Sequence, residues 1–207
     1  MEYIFMLGGI ALANLLGIIS PGPAFFLVSR ASAGQSRAIG VATGIGVAGA
    51  ATLWAVAATF GVAMLMTQFA VLYGIVQIIG GLYLIWLGLM AWKHTGSNEV
   101  GPEDASPRGY RRAAATGFLL SLTNPKIVIF FSSIFVAMLP VDAPMWVRLA
   151  ALGIVAFQET LWYALVACVF SHHRVQAGYR RIRSGVDRVM GTFFIALGAR
   201  IVAVARI

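Results

Sequence analysis

The chain has 207 residues, 60% hydrophobic and only 11% charged, with a formal net charge of +8. A soluble domain carries about 25% charged residues, so there is too little polar surface here to cover a water-facing globule. The basic excess argues against a nucleic-acid-binding domain, because the lysines and arginines flank long apolar runs and belong to no folded soluble module.

A membrane-crossing helix needs about 20 mostly apolar residues. Runs of that kind predict six spans, at about 3–28, 39–64, 69–92, 113–139, 146–171 and 186–205. The first run, Tyr3 to Ser29, has no charge. Ala11-Leu12-Ala13 has the small-residue pattern of a leader cleavage site. Glu2 is the only charge before it, however, and the apolar run continues, so a retained span is expected.

Inside that span stands Ser20-Pro21-Gly22-Pro23-Ala24. Proline donates no backbone hydrogen bond and disturbs the turn before it. Carbonyls before such a break, and amides after it, lose their helical partners. Hydrocarbon cannot satisfy them, so broken backbone persists only against protein or a wet cavity. The amide end of the restarted helix suits a carboxylate, and the freed carbonyls suit an ammonium group or cation. A zwitterionic amino acid offers both.

Ala38 to Trp92 is uncharged over 55 residues, enough for two spans with a turn at Thr67-Gln68. Residues 93–112, "KHTGSNEVGPEDASPRGYRR", are rich in Gly, Pro, Ser and charge and read as a linker. It divides a first three-helix unit, 1–92, from a second, 113–207. The fourth span carries Thr123-Asn124-Pro125-Lys126, a second break at membrane depth. With three spans in each half, spans 1 and 4 cross in opposite directions. Paired breaks at matching places of inverted halves point to a transporter binding site. The expected fold is an all-α integral membrane protein, six transmembrane helices in two inverted three-helix repeats, with helices 1 and 4 broken. Ser20, Pro21, Gly22, Pro23, Ala24, Asn124, Pro125 and Lys126 are the candidate substrate-binding residues.

Lys126 and Glu159 are the only ionisable groups well inside predicted spans. Each costs at least ~2.5 kcal/mol at a helix centre. Two readings stand side by side. They pair with each other and tie spans 4 and 5 together, or they serve transport, with Glu159 as proton carrier or ammonium partner and Lys126 as an attractor for a carboxylate.

Small residues recur every four positions in three spans: Gly9, Ala13 and Gly17; Gly40, Gly44, Ala48 and Thr52; Ala113, Gly117 and Ser121. Such stripes let backbones approach, within one chain or across a homodimer. The five tryptophans read as interfacial anchors or bundle packing, with cavity lining an alternative for Trp54 and Trp162. Eleven basic residues fall in the linkers after spans 1, 3 and 5, against three on the other side. The positive side is cytoplasmic, so both termini are expected outside the cell inner membrane. The run 174–188 could also meet anionic lipid.

Several classes fit poorly. The three histidines fall in linkers and Glu159 is a lone acid, so no nucleophile–base or acidic-dyad enzyme is expected. Spans without several carboxylates or imidazoles do not suit a divalent-metal exporter. One cysteine, Cys168, cannot form a dithiol redox pair. No phosphate-binding glycine loop is present, and no cofactor is expected. A secondary exporter of a small molecule, a non-transporting membrane or lipid-binding module, and a small-solute channel remain.

Three segments carry a family likeness. "ISPGPAFFLVSRASAGQSRAIGVATGIGVA" resembles the first-span signature of the lysine-exporter family, including its homoserine/threonine-resistance branch (the LysE/RhtB type). "LLSLTNPKIVIFFSSIFVAMLP" resembles its Asn-Pro-Lys segment with paired Phe, and "DRVMGTFFIALGARI" resembles its last span. The resemblance covers essentially the whole chain. It implies a small inner-membrane exporter of amino acids or their derivatives, driven by a proton or ion gradient, with Pro21, Gly22, Pro23, Asn124, Pro125 and Lys126 at family-type functional positions. The chain departs from the family in two places. It is apolar at Ala50-Ala51, where many relatives are polar or acidic, and it carries Glu159 where relatives are usually apolar.

Overall fold

The structure, a computed structural model, describes residues 1–19, 22–68, 70–93, 109–140, 142–169 and 173–204. Among these residues there are eight helices and no strand: α1 (Glu2–Ile19), α2 (Pro23–Gly34), α3 (Arg37–Gln68), α4 (Ala70–Lys93), α5 (Tyr110–Leu122), α6 (Pro125–Met138), α7 (Met145–Val169) and α8 (His173–Val204).

Local chemistry sets the helix ends that frame the two breaks. Gly22 holds extended backbone ahead of α2, and Pro23 takes the first helical position, where its fixed φ is preorganised and its missing N–H costs nothing. Asn124 and Pro125 do the same for α6, with one addition. The Asn124 side-chain oxygen accepts from the Lys126 amide at 3.0 Å, an N-cap that satisfies one orphan donor. On the other side of that break, the Thr123 amide donates to the Leu119 carbonyl at 3.0 Å and ends α5.

α1, the Arg37–Gly61 part of α3, and α7 are each long and apolar enough to cross a bilayer alone. α5 and α6, bent by 62° at their junction, make a fourth crossing if taken as one broken span. The sequence leads one to expect a first break midway through its span. In the structure α1 alone runs 18 residues, about 27 Å, so that break comes near the end of a crossing. The second break divides nearly equal pieces of 13 and 14 residues. The stretch 174–188, read from sequence as a linker, lies within α8, which begins at His173. Arginine is a good helix former, and its charge therefore does not end the helix.

Burial separates an inner from an outer face on α7. On α7, Val147, Ala151, Val155, Glu159, Tyr163 and Ala167 form a buried stripe at every fourth residue. Leu149, Phe157, Leu161 and Leu165 face outward and are exposed, the arrangement expected of a helix with lipid on one side and packed neighbours on the other. The main core gathers Ile10 and Ala13 of α1, Ala51 and Ala55 of α3, Leu84 of α4, Phe131 and Phe135 of α6, Val155 of α7 and Phe194 of α8.

Glycines set the closest helix approaches. A Cβ on Gly81 would strike the Gly198 carbonyl, and one on Gly198 would strike that of Gly81; Gly88 and Gly191 stand in the same mutual relation. α4 and α8 therefore lie antiparallel with backbones in contact. Gly117 of α5 meets the Thr43 carbonyl of α3, and Gly44 of α3 meets Tyr163 of α7. Gly9 and Gly17 of α1 receive Met138 and Phe130 of α6. The small-residue positions noted in sequence thus serve packing within this chain.

Candidate functional site

The breaks point inward. α2 starts at Pro23 and α6 at Pro125, and both starts border one cavity of about 70 Å³. Gly22, Pro23 and Ala24 line it from the first break, Asn124 and Lys126 from the second, and Glu159 from α7. Ser20 and Pro21 lie outside the described residues. Pro125 occupies the first position of α6 beside these lining residues.

The two helix starts differ electrically. Each presents first-turn amides without helical partners and the positive end of a helix dipole. At α6 the Asn124 side chain already takes the Lys126 amide. At α2 the cap residue is glycine and supplies no side-chain acceptor, and the Phe26 amide donates to the Gly22 carbonyl at 3.2 Å. Lys126 adds a full positive charge on the same cavity wall. Glu159, only 4% exposed, lines the same cavity from α7, with the Tyr163 phenol one turn further along. A lysine, a buried carboxyl group and two helix starts thus share one small space.

The remaining wall is apolar: Ala51 of α3, Ile127, Phe130 and Phe131 of α6, and Phe194 of α8. The Phe130 and Phe194 rings meet edge to face with centroids 5.6 Å apart, and Phe130 fills the space left by Gly17.

Other polar groups hold the frame around the cavity. The Trp54 indole donates to the Leu122 carbonyl at 3.2 Å and satisfies an acceptor freed at the second break. Asn14 of α1 donates to the Gln158 side-chain oxygen at 3.0 Å, and Gln158 donates to the Ala11 carbonyl at 3.2 Å. This amide pair fixes α7 against α1 one residue before Glu159. The Ser32 hydroxyl bonds the Ala167 carbonyl and holds α2 to α7. Sequence reading marks Phe130 only as one of the paired Phe after Asn-Pro-Lys, and it does not single out Asn14, Gln158 or Tyr163. The two amides could have been found as uncharged polar residues within predicted spans, whereas the aromatics look like any others in an apolar run.

Fold and site together define a membrane protein, helical throughout its described residues, with a cavity where two helix starts, a lysine and a buried glutamate meet. The chain belongs to the LysE type translocator family, whose model matches residues 15–204. It is similar to the threonine efflux protein of Salmonella typhi, 27% identical over 198 residues that cover 93% of this chain and 95% of the relative. It is also similar to the threonine efflux protein of Escherichia coli (strain K12), 26% identical over 198 residues, 93% of this chain and 95% of the relative. The leucine efflux protein of Salmonella choleraesuis (strain SC-B67) is 28% identical over 193 residues, 89% of this chain and 88% of the relative. No solved structure matches the chain.

Proposed function

We propose that this protein is a secondary exporter of amino acids or small amino-acid derivatives across the inner membrane, working by alternating access and coupled to a proton or ion gradient. The observation that carries this reading is the shared cavity of Gly22, Pro23, Ala24, Asn124, Lys126 and Glu159. The substrate carboxylate would meet the positive end of the α2 dipole and Lys126, and the ammonium group would meet Glu159. Glu159 would also be the group that takes up the coupling proton. Relatives named for threonine and leucine efflux favour a neutral side chain, which the aromatic wall would accept.

The cavity holds a few waters, at about 10–15 Å³ each by this measure, and is too small for an amino acid. Substrate entry therefore requires the walls to part, which is the role proposed for rocking of residues 1–92 against 113–207. Six spans arranged as two inverted repeats would supply such halves. Two relations support that arrangement. The α4 and α8 glycines contact one another reciprocally and antiparallel, as an in-plane two-fold axis between the third helices would require. Ala51 follows the first residue of α3 by 14 positions, Glu159 follows that of α7 by 14, and both line the cavity. With the basic linkers inside, both termini would lie outside.

The test is counterflow of labelled threonine, leucine and other amino acids in proteoliposomes. Saturable counterflow is expected, with Pro23→Ala and Asn124→Ala lowering flux while inserting normally. Full transport by both variants would remove the cavity from the mechanism. Flux without counterflow would indicate a channel, and absence of saturable flux a non-transporting module.

A further inference from the structure

A second cavity, of about 350 Å³, lies further along the helices that wall the first. Phe5 and Met6 of α1, Met138 of α6, and Leu197, Arg200 and Ile201 of α8 line it. The first cavity touches the same three helices at Gly17, at Lys126 through Phe131, and at Phe194. From Gly17 to Met6 along α1 is about 16 Å at the α-helical rise. The second cavity therefore lies toward the membrane face that holds the N-terminus and the end of α8, the face that the charge bias places outside. Between the two stand Phe130 and Phe194, in edge-to-face contact, and the fully buried Ile10 and Ile134. Arg200 is the one charged residue among the described residues of the outer cavity wall.

Three properties set this cavity apart from a packing defect. Its volume falls in the range of small-molecule sites, about 300–1,000 Å³. Its wall pairs apolar side chains with one cation, the complement of a neutral amino acid's side chain and carboxylate. It is lined by three of the helices that line the inner cavity, and the Phe130 and Phe194 rings of that inner wall belong to two of them, so rotation of these rings with small helix shifts would be the way to join the two.

We propose that the outer cavity is the release vestibule of the export path, a second binding site for the same substrate, in which Arg200 receives the carboxylate after Phe130 and Phe194 part. This rests on the exporter reading above. The guanidinium offers paired donors to a carboxylate. Transfer from Lys126 and the α2 amides to Arg200 carries the anion outward between positive charges, and the shallow outer position lets water compete for the substrate and free it.

The test uses full-length protein in proteoliposomes and a Cys168→Ser background, since Cys168 is itself exposed. Leu197→Cys is treated from the outer side with a membrane-impermeant thiol reagent. Modification is expected to block counterflow, and external substrate at saturating concentration to slow it. Independently, Arg200→Gln is expected to raise the half-saturating external concentration by about tenfold, the loss implied for a charge-assisted hydrogen bond, with the internal value unchanged and Arg200→Lys intermediate. If the parent protein shows counterflow but modified Leu197→Cys transports normally, the vestibule is wrong and the exporter reading survives. Protection by anionic phospholipid and not by amino acid would make the cavity a lipid site and equally overturn the proposal. Failure of the parent to transport any amino acid would overturn both.

Discussion

The indole N–H of Trp54, on α3, donates to the main-chain carbonyl of Leu122, the last residue of α5, at 3.2 Å. Residue 54 belongs to the first half of the chain and residue 122 to the second. The break between α5 and α6 is thus held open by a side chain from the opposite half, which couples the geometry of the second break to the placement of α3. A relative movement of the halves must keep this bond or exchange it for another.

Trp54→Phe retains the ring and deletes the donor. An unsatisfied buried carbonyl costs about 1–3 kcal/mol, so the variant should unfold at lower temperature in detergent by a corresponding amount and show reduced efflux. An unchanged melting temperature would mean that the Leu122 carbonyl has another donor.

Asn124 acts through its side-chain oxygen, which caps α6 at the Lys126 amide. Loss of an N-cap costs about 0.5–2 kcal/mol. Asn124→Ala should lose that stability, whereas Asn124→Ser and Asn124→Asp, which keep an acceptor, should retain most of it. Asn124→Asp brings a carboxylate beside the cavity and should still transport poorly. Stability and counterflow measured on the same preparations separate capping from substrate contact.

Glu159→Gln keeps the shape of the side chain and removes its capacity to exchange a proton. Wild-type efflux driven by a pH gradient should vary with pH on either side of the membrane. The variant should lose that dependence and most of the driven flux, while exchange between equal pools persists. An identical pH profile in both proteins would take Glu159 out of coupling.

Contact between the α4 and α8 backbones leaves no room for side chains at Gly88 or Gly198. Gly88→Val should destabilise by about 1–3 kcal/mol through overpacking, with loss of folded protein on purification. Gly153, on α7, has nothing within reach of an added Cβ. Gly153→Ala should therefore be neutral, or gain up to about 1 kcal/mol from helix propensity, in the same unfolding assay.

The helical, membrane-embedded character and both breaks were legible in the sequence, because Pro23, Pro125 and the long uncharged runs act locally and leave local marks. Gly22, Asn124, Lys126 and Glu159 were legible as candidates for a related reason: charge and broken backbone are costly in lipid and stand out against it. That they face a common space was an expectation that only tertiary packing could address. Trp54 was noticed, but its bond to Leu122 depends on a residue 68 positions away. Gly81, Gly88, Gly191 and Gly198 were not singled out, since nothing local distinguishes a contact glycine from any other in a glycine-rich chain. The extension of α8 back to His173 was missed because a basic stretch reads as a boundary by charge while remaining a good helix by propensity.

The cavity beside Glu159 has the edge-to-face rings of Phe130 and Phe194 on one side, and hydrocarbon rings offer a migrating proton no group to hop to, so any proton that reaches Glu159 must arrive by another wall.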